Sequence, residues 1–145
     1  MPSPSLENID PSIDPTADQV RAMRDGDQTA PIVMLNLLKF RDQANYPAGS
    51  EFEGSTGIEA YRRYQHAFVQ AVGAVSKAQL LYDGPCEQVF IGLAGTPETD
   101  WDKVLLVRYP ERRNFLEMMA NEEYRAALVH RYAGLERTIL IQCKG

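Results

Sequence analysis

Nine residues constrain this chain more than any others: Ile32-Val33-Met34-Leu35-Asn36-Leu37-Leu38-Lys39-Phe40. The run is far short of the roughly 18 apolar residues a membrane helix needs. It also lacks the alternation of a strand with one wet face. A short strand that is apolar on both sides belongs at the centre of a sheet covered twice. The chain has 145 residues, 44% of them hydrophobic and 24% charged, enough for one such sheet and one core.

The segments around this strand predict its setting. Residues 1–30 are expected to form an N-terminal arm and a short helix. Pro2, Pro4 and Pro11 break the arm, and Asp14-Pro15 offers an N-cap followed by a first-turn proline. The helix should run through Val20, Ala22 and Met23 and stop at Asp25-Gly26, with glycine in the left-handed conformation. Residues 31–145 should form the main domain. Arg41 to Thr56 is a long polar loop, either a lid over a site or a solvated insertion. Gly57 to Lys77 is a helix with Ile58, Tyr61, Phe68, Val72 and Val75 on one stripe. Asp83-Gly84-Pro85 then suggests a turn, with a strand over Cys86 to Leu93. Trp101 to Tyr109 is the third strand, and Pro110 ends it and opens a helix carrying Phe115, Leu116, Met118 and Met119. Asn121 caps a second helical piece that Gly134 closes, before a last strand over Thr138 to Cys143.

The order β-α-β-β-α-β is that of a ferredoxin-like α+β sandwich, a four-stranded antiparallel sheet with helices on one face. Its other face would be largely apolar, and an exposed face of that kind implies a partner. A second copy related by a two-fold axis is the simplest one. The order also puts the second and fourth strands at the two sheet edges. Cys86 and Cys143 then lie beyond the roughly 7 Å a disulfide spans, and are expected as free thiols.

Fifteen Lys+Arg against twenty Asp+Glu give a net charge of −5, so no basic footprint for nucleic acid exists. The N-terminus shows neither a basic nor an apolar region of the secretory type, and no segment is a membrane span. A cytoplasmic location is expected. His66 and His130 share no ligand spacing with each other or with cysteine, so no metal site is expected. Phosphate-loop and nucleophile-elbow motifs are missing, so no cofactor is expected, although one histidine is enough for a haem.

His130 is the candidate acid–base group, or else a histidine placed to suit a helix C-terminus. Beside it, Arg131 is positioned to hold a carboxylate, cap the helix end, or pair with Glu136 or Glu123. Asn36 interrupts an apolar strand and needs hydrogen-bond partners, from a ligand or a neighbouring loop. Arg108 and Gln142 are matching interruptions in the third and fourth strands, candidates to line a shared cavity. Tyr61 and Tyr64 offer hydroxyls beside Asn36, or else are core. Lys39 and Arg41, at the strand end, hold an anionic substrate or begin a solvated loop.

Three segments resemble a known family. Pro31 to Arg41, Gly57-Ile58-Glu59-Ala60-Tyr61-Arg62-Arg63-Tyr64, and Trp101-Asp102-Lys103-Val104 through Tyr109-Pro110 with Glu123-Tyr124-Arg125 and His130-Arg131 are similar to domain-of-unknown-function family 1330. That family lies within the dimeric α+β barrel superfamily. The resemblance implies a homodimer with a small-molecule cleft between sheet and helices. Superfamily members include cofactor-independent monooxygenases, small isomerases, haem enzymes and plain binders, so the fold does not choose a reaction. The expectation is a cytoplasmic homodimer taking a small organic, anionic ligand. It is either an isomerase or monooxygenase-like enzyme using His130, or a non-catalytic binder.

Overall fold

The computed structural model describes residues 10–71 and 73–145. Its elements run α1 (Ala17–Asp25), β1 (Ile32–Phe40), α2 (Gly57–Ala71), α3 (Gly73–Ser76), β2 (Gln79–Pro85), β3 (Lys103–Tyr109), α4 (Arg112–Ala120), α5 (Glu122–Gly134) and β4 (Leu135–Lys144). The strands form one antiparallel sheet in the order β2-β3-β1-β4, the ferredoxin-like arrangement, with β1 and β3 central.

Strand alternation divides β1 between two environments. Ile32, Met34, Leu38 and Phe40 are buried under the helices. Leu38 and Phe40 pack with Tyr61, Tyr64, Leu105, Ala127 and Leu135 in one core cluster. Ile32 and Met34 pack with Tyr109 and Met118 in a second. Val33, Leu35 and Leu37 turn to the opposite face. The register sets them beside Leu106 and Val104 of β3 and Ile141 and Ile139 of β4. Among the described residues no element covers this face as the helices cover the other, and Ile139 and Ile141 stay more than two-fifths exposed. Cys86 follows one edge strand, Cys143 lies in the other, and both are free.

Local expectations differ from the structure in three places. The α1 cap is Thr16, not Asp14. Its Oγ accepts from Gln19 N at 3.2 Å, and the Gln19 side chain accepts from Thr16 N at 2.8 Å. That reciprocal pair satisfies two end groups at once, which Asp14 alone cannot do. Gly26 is extended rather than left-handed. Its missing side chain leaves room for Arg112, whose guanidinium would lie 1.1 Å from a Cβ there. The second strand occupies Gln79–Pro85, and Cys86 to Leu93 forms no strand. Asp83-Gly84-Pro85 ends an edge strand, where a proline costs no ladder bond that matters. Beyond the Pro85–Lys103 pair one more backbone bond, Cys86 N to Asp102 O, closes the ladder before the chain turns away. Of the helix expected over Gly57 to Lys77, Gly57–Ala71 and Gly73–Ser76 are described as helical. Val72 of the predicted stripe and residues 1–9 of the arm lie outside the described residues.

Candidate functional site

The polar loop after β1 is tied down along its length. Arg41 N donates to Gly134 O, Asn45 N to Ala133 O and Ala44 N to Ser55 O, while Gly57 N returns to Arg41 O. Its two aromatic residues close on α5. The Tyr46 hydroxyl lies 2.7 Å from His130 Nδ1. Arg63 Nη1 donates to the same phenol oxygen at 3.1 Å and to Ser55 Oγ at 3.0 Å. The Tyr46 hydroxyl thus links the imidazole of α5 to the guanidinium of α2. Phe52 meets the imidazole edge-on at 5.0 Å, and the Arg63 guanidinium sits 4.6 Å over the Phe52 ring. Burial, with the nearby Arg63 charge second, lowers the His130 pKa. A helix C-terminus alone would raise it. The histidine is therefore a neutral clasp for the loop.

Arg131 takes the opposite direction from its neighbour. It lies at the inner side of α5 with the Asp14 carboxylate at 3.8 Å, and both side chains are largely buried. Glu123 and Glu136, the partners expected from sequence, form no ion pair with it. Asp14, displaced from its expected capping role, lies beside Arg131 while Ile13 joins the core and Thr138 N donates to Ser12 O. The arm before α1 is thus fastened across the end of β4. Tyr61 and Tyr64 are core residues, and burial pushes both phenols well above their usual range. Tyr64 donates to the Tyr124 hydroxyl at 3.1 Å. Asn36 donates to Met34 O and Leu105 O at 3.2 and 3.4 Å, so the amide that interrupts β1 bonds within the sheet.

Arg108 does not share a cavity with Asn36 and Gln142. It stands opposite Val33 on the open face, bonded to Gln79, whereas Asn36 shares the helix-facing side with Met34 and Leu38, and Gln142 stands opposite Met34. Spacing along single strands could not reveal this, because faces are compared only once register is known.

Lys39, Arg41 and Tyr61 do come together. They line an open cleft of about 680 Å³ between the end of the sheet and the start of α2, with Phe40, Ile58, Arg62, Gln65 and Lys103 also in its walls. Most charges there are committed. Lys39 Nζ reaches Asp100 and Asp102 at 3.1 and 3.3 Å, and its pKa rises chiefly through the Asp100 bond. Lys103 pairs with Asp83 at 2.7 Å and donates to Gln65 at 3.1 Å. Arg41 Nε donates to Leu135 O. Among the described residues Arg41, Arg62 and Asp42 of this lining make no ion pair, which leaves two guanidinium groups and one carboxylate uncommitted beside the walls of Phe40 and Ile58. His130 is not in this lining, nor are Asn36, Tyr64, Arg108 and Arg131.

Reading the sequence missed Tyr46, Phe52 and Arg63 as partners of His130. The available signal was two aromatic residues inside an otherwise polar loop. Among the described residues no group of three or more His, Cys, Asp or Glu side chains is placed to hold a metal ion, and no helix is long and apolar enough to cross a membrane.

No family model matches the chain. No curated protein matches it either. Among solved structures, the RPA0582 protein of Rhodopseudomonas palustris, described as of unknown function, is 34% identical and superposes with a TM-score of 0.80. The match covers 92% of this chain and 95% of that one. A methylated form of RPA0582 matches equally well, over 93% of its length. A dimeric Bacteroides fragilis protein of unknown function with a ferredoxin-like fold is 15% identical, at a TM-score of 0.47 over 83% of this chain and all of that one. Identity of 34% over nine-tenths of both chains places this chain in the family of the Rhodopseudomonas palustris protein RPA0582.

Proposed function

We propose that the protein is a cytoplasmic homodimer, joined through its open sheet face, that binds a small organic carboxylate without transforming it. The observation that carries the binding role is the cleft at the sheet end, where Arg41 and Arg62 bring unpaired charge to walls made by Phe40, Ile58 and Tyr61. Guanidinium groups suit carboxylates through paired N–H donors, and a part-apolar wall suits the rest of an organic acid. The dimer rests on the apolar open face of β1, β3 and β4. Placement in the dimeric α+β barrel superfamily, and within it in family 1330, rests on the three segments quoted above.

The test is calorimetric titration of the full chain with benzoate, beside Arg62→Gln and a mass-spectrometric check of the recovered ligand. Saturable binding that weakens about tenfold in Arg62→Gln, with benzoate recovered unchanged, supports the reading. Binding that ignores the substitution, or no binding, sinks the cleft.

One observation favours an enzyme instead. A neutral imidazole bonded to a phenol that is itself held by a guanidinium is a chemically competent proton carrier. That reading requires a substrate to reach His130 under the 41–56 loop. A ligand whose NMR contacts map to Tyr46 and His130 rather than to Arg62 would establish it.

A further inference from the structure

The connection from β2 to β3 is the least economical segment of the fold. Adjacent antiparallel strands need two to five residues between them, yet here the chain leaves β2 after Pro85 and rejoins at Lys103. The excursion is built, not loose. Arg137 of β4, two strands away from β3, donates to Pro97 O and Asp100 O at 2.6 Å each and lies 4.3 Å over the Trp101 ring. Trp101 Nε1 donates to Glu98 O, and Thr96 and Thr99 both donate to Leu93 O. Arg137 shares the open face with Ile139 and Ile141, because it stands opposite Lys39 in the register. The segment therefore crosses the end of the sheet on its uncovered side. Its tip holds Phe90, Ile91 and Leu93 at 86, 89 and 78% exposure.

We propose that this tip is an arm that packs on a second copy of the chain, extending the sheet-face dimer; the inference rests on that dimer. Three observations select this occupant. A stable interface buries about 800 Å² of accessible surface on each partner, and Phe90, Ile91 and Leu93 add exposed apolar area to what Ile139 and Ile141 of the open face supply. The segment adjoins the same surface, since Leu37 of the open face and Val89, Thr99 and Trp101 of the segment line one shallow hollow. The segment also carries Glu87, Glu98 and Asp100, which oppose docking on an anionic membrane. A pre-formed tip loses little freedom when it binds, which is what an interface arm requires.

Sedimentation equilibrium of the full chain tests this, with Phe90→Ser/Ile91→Ser and Leu35→Glu as the two variants. Both tip residues face solvent within one chain, so the circular dichroism of the double variant should match wild type. The expected result is a dimer whose dissociation constant rises at least about tenfold in the double variant, with Leu35→Glu monomeric. A smaller rise, with Leu35→Glu still monomeric, overturns the arm and leaves the sheet-face dimer standing. A wild-type chain monomeric at high micromolar concentration, free or bound to phosphatidylcholine vesicles, overturns both.

Discussion

His130 shows how a residue's chemistry is set by what lies beside it. On a sequence diagram it is a histidine near a helix end. In the structure its Nδ1 is hydrogen-bonded to the Tyr46 phenol, and Arg63 keeps a positive charge close. Both burial and that charge disfavour the imidazolium, so the folded-state pKa falls below the unfolded value near 6.5. The unfolded chain then binds more protons between the two pKa values. Stability therefore rises with pH through that window and is lost as pH falls through it. A proton titration of the assigned His130 ring should show a value below 6.5, and Arg63→Gln should raise it. His130→Gln should remove this pH-dependent part of stability, measured by urea unfolding at several pH values. A wild-type titration at or above about 6.5 would refute the clasp.

At the scale of elements, the helix layer depends on one close crossing. The first residue of α2 and the last of α5 meet backbone to backbone, so that a Cβ on Gly134 would lie 2.6 Å from Gly57 O. The sequence marks Gly134 as a helix terminator, which it is. Its second role, allowing α5 to touch α2, follows only from packing. Arg41 N and Asn45 N donate to Gly134 and Ala133 carbonyls at the same point, so the crossing also anchors the 41–56 loop. Gly134→Ala should destabilise the protein by about 1–3 kcal/mol, the usual cost of overpacking a tight contact. Chemical denaturation would measure it, and amide exchange in residues 41–46 should quicken in parallel. Reading β2 wrongly at this same scale had a physical cause. Val89, Phe90, Ile91 and Leu93 have the composition of a strand, but the pairing partner they would need ends at Lys103.

For the whole molecule, the described part of the N-terminal arm acts as a fastening. Ile13 enters the core, Ser12 receives a bond from Thr138, and the Asp14 carboxylate lies beside the buried Arg131 guanidinium. Removing that carboxylate leaves a guanidinium in a largely buried place with less compensation. Asp14→Asn should therefore cost roughly 1–3 kcal/mol. The sharper readout is local: trypsin should cut at Arg21 and Arg24 of α1 faster in the variant than in wild type. Equal cutting rates would show that the arm is held by Ile13 and the backbone bond alone.

The amino-acid sequence by itself determined the layer architecture and the strand order. Hydrophobic period, caps and breakers act within a few residues, and the ferredoxin-like order follows from their succession. It also determined that β1 would be apolar on both faces. Tertiary structure alone decided which polar residues meet. Asp14 reaches Arg131 and Tyr46 reaches His130 across most of the chain, and Arg108 parts from Asn36 because the register sets them on opposite faces. These outcomes depend on pairing register, helix crossing and loop closure, which no local pattern encodes. Sequence spacing proposed one site; the fold distributes its residues among a clasp, a core, a cleft and an open face.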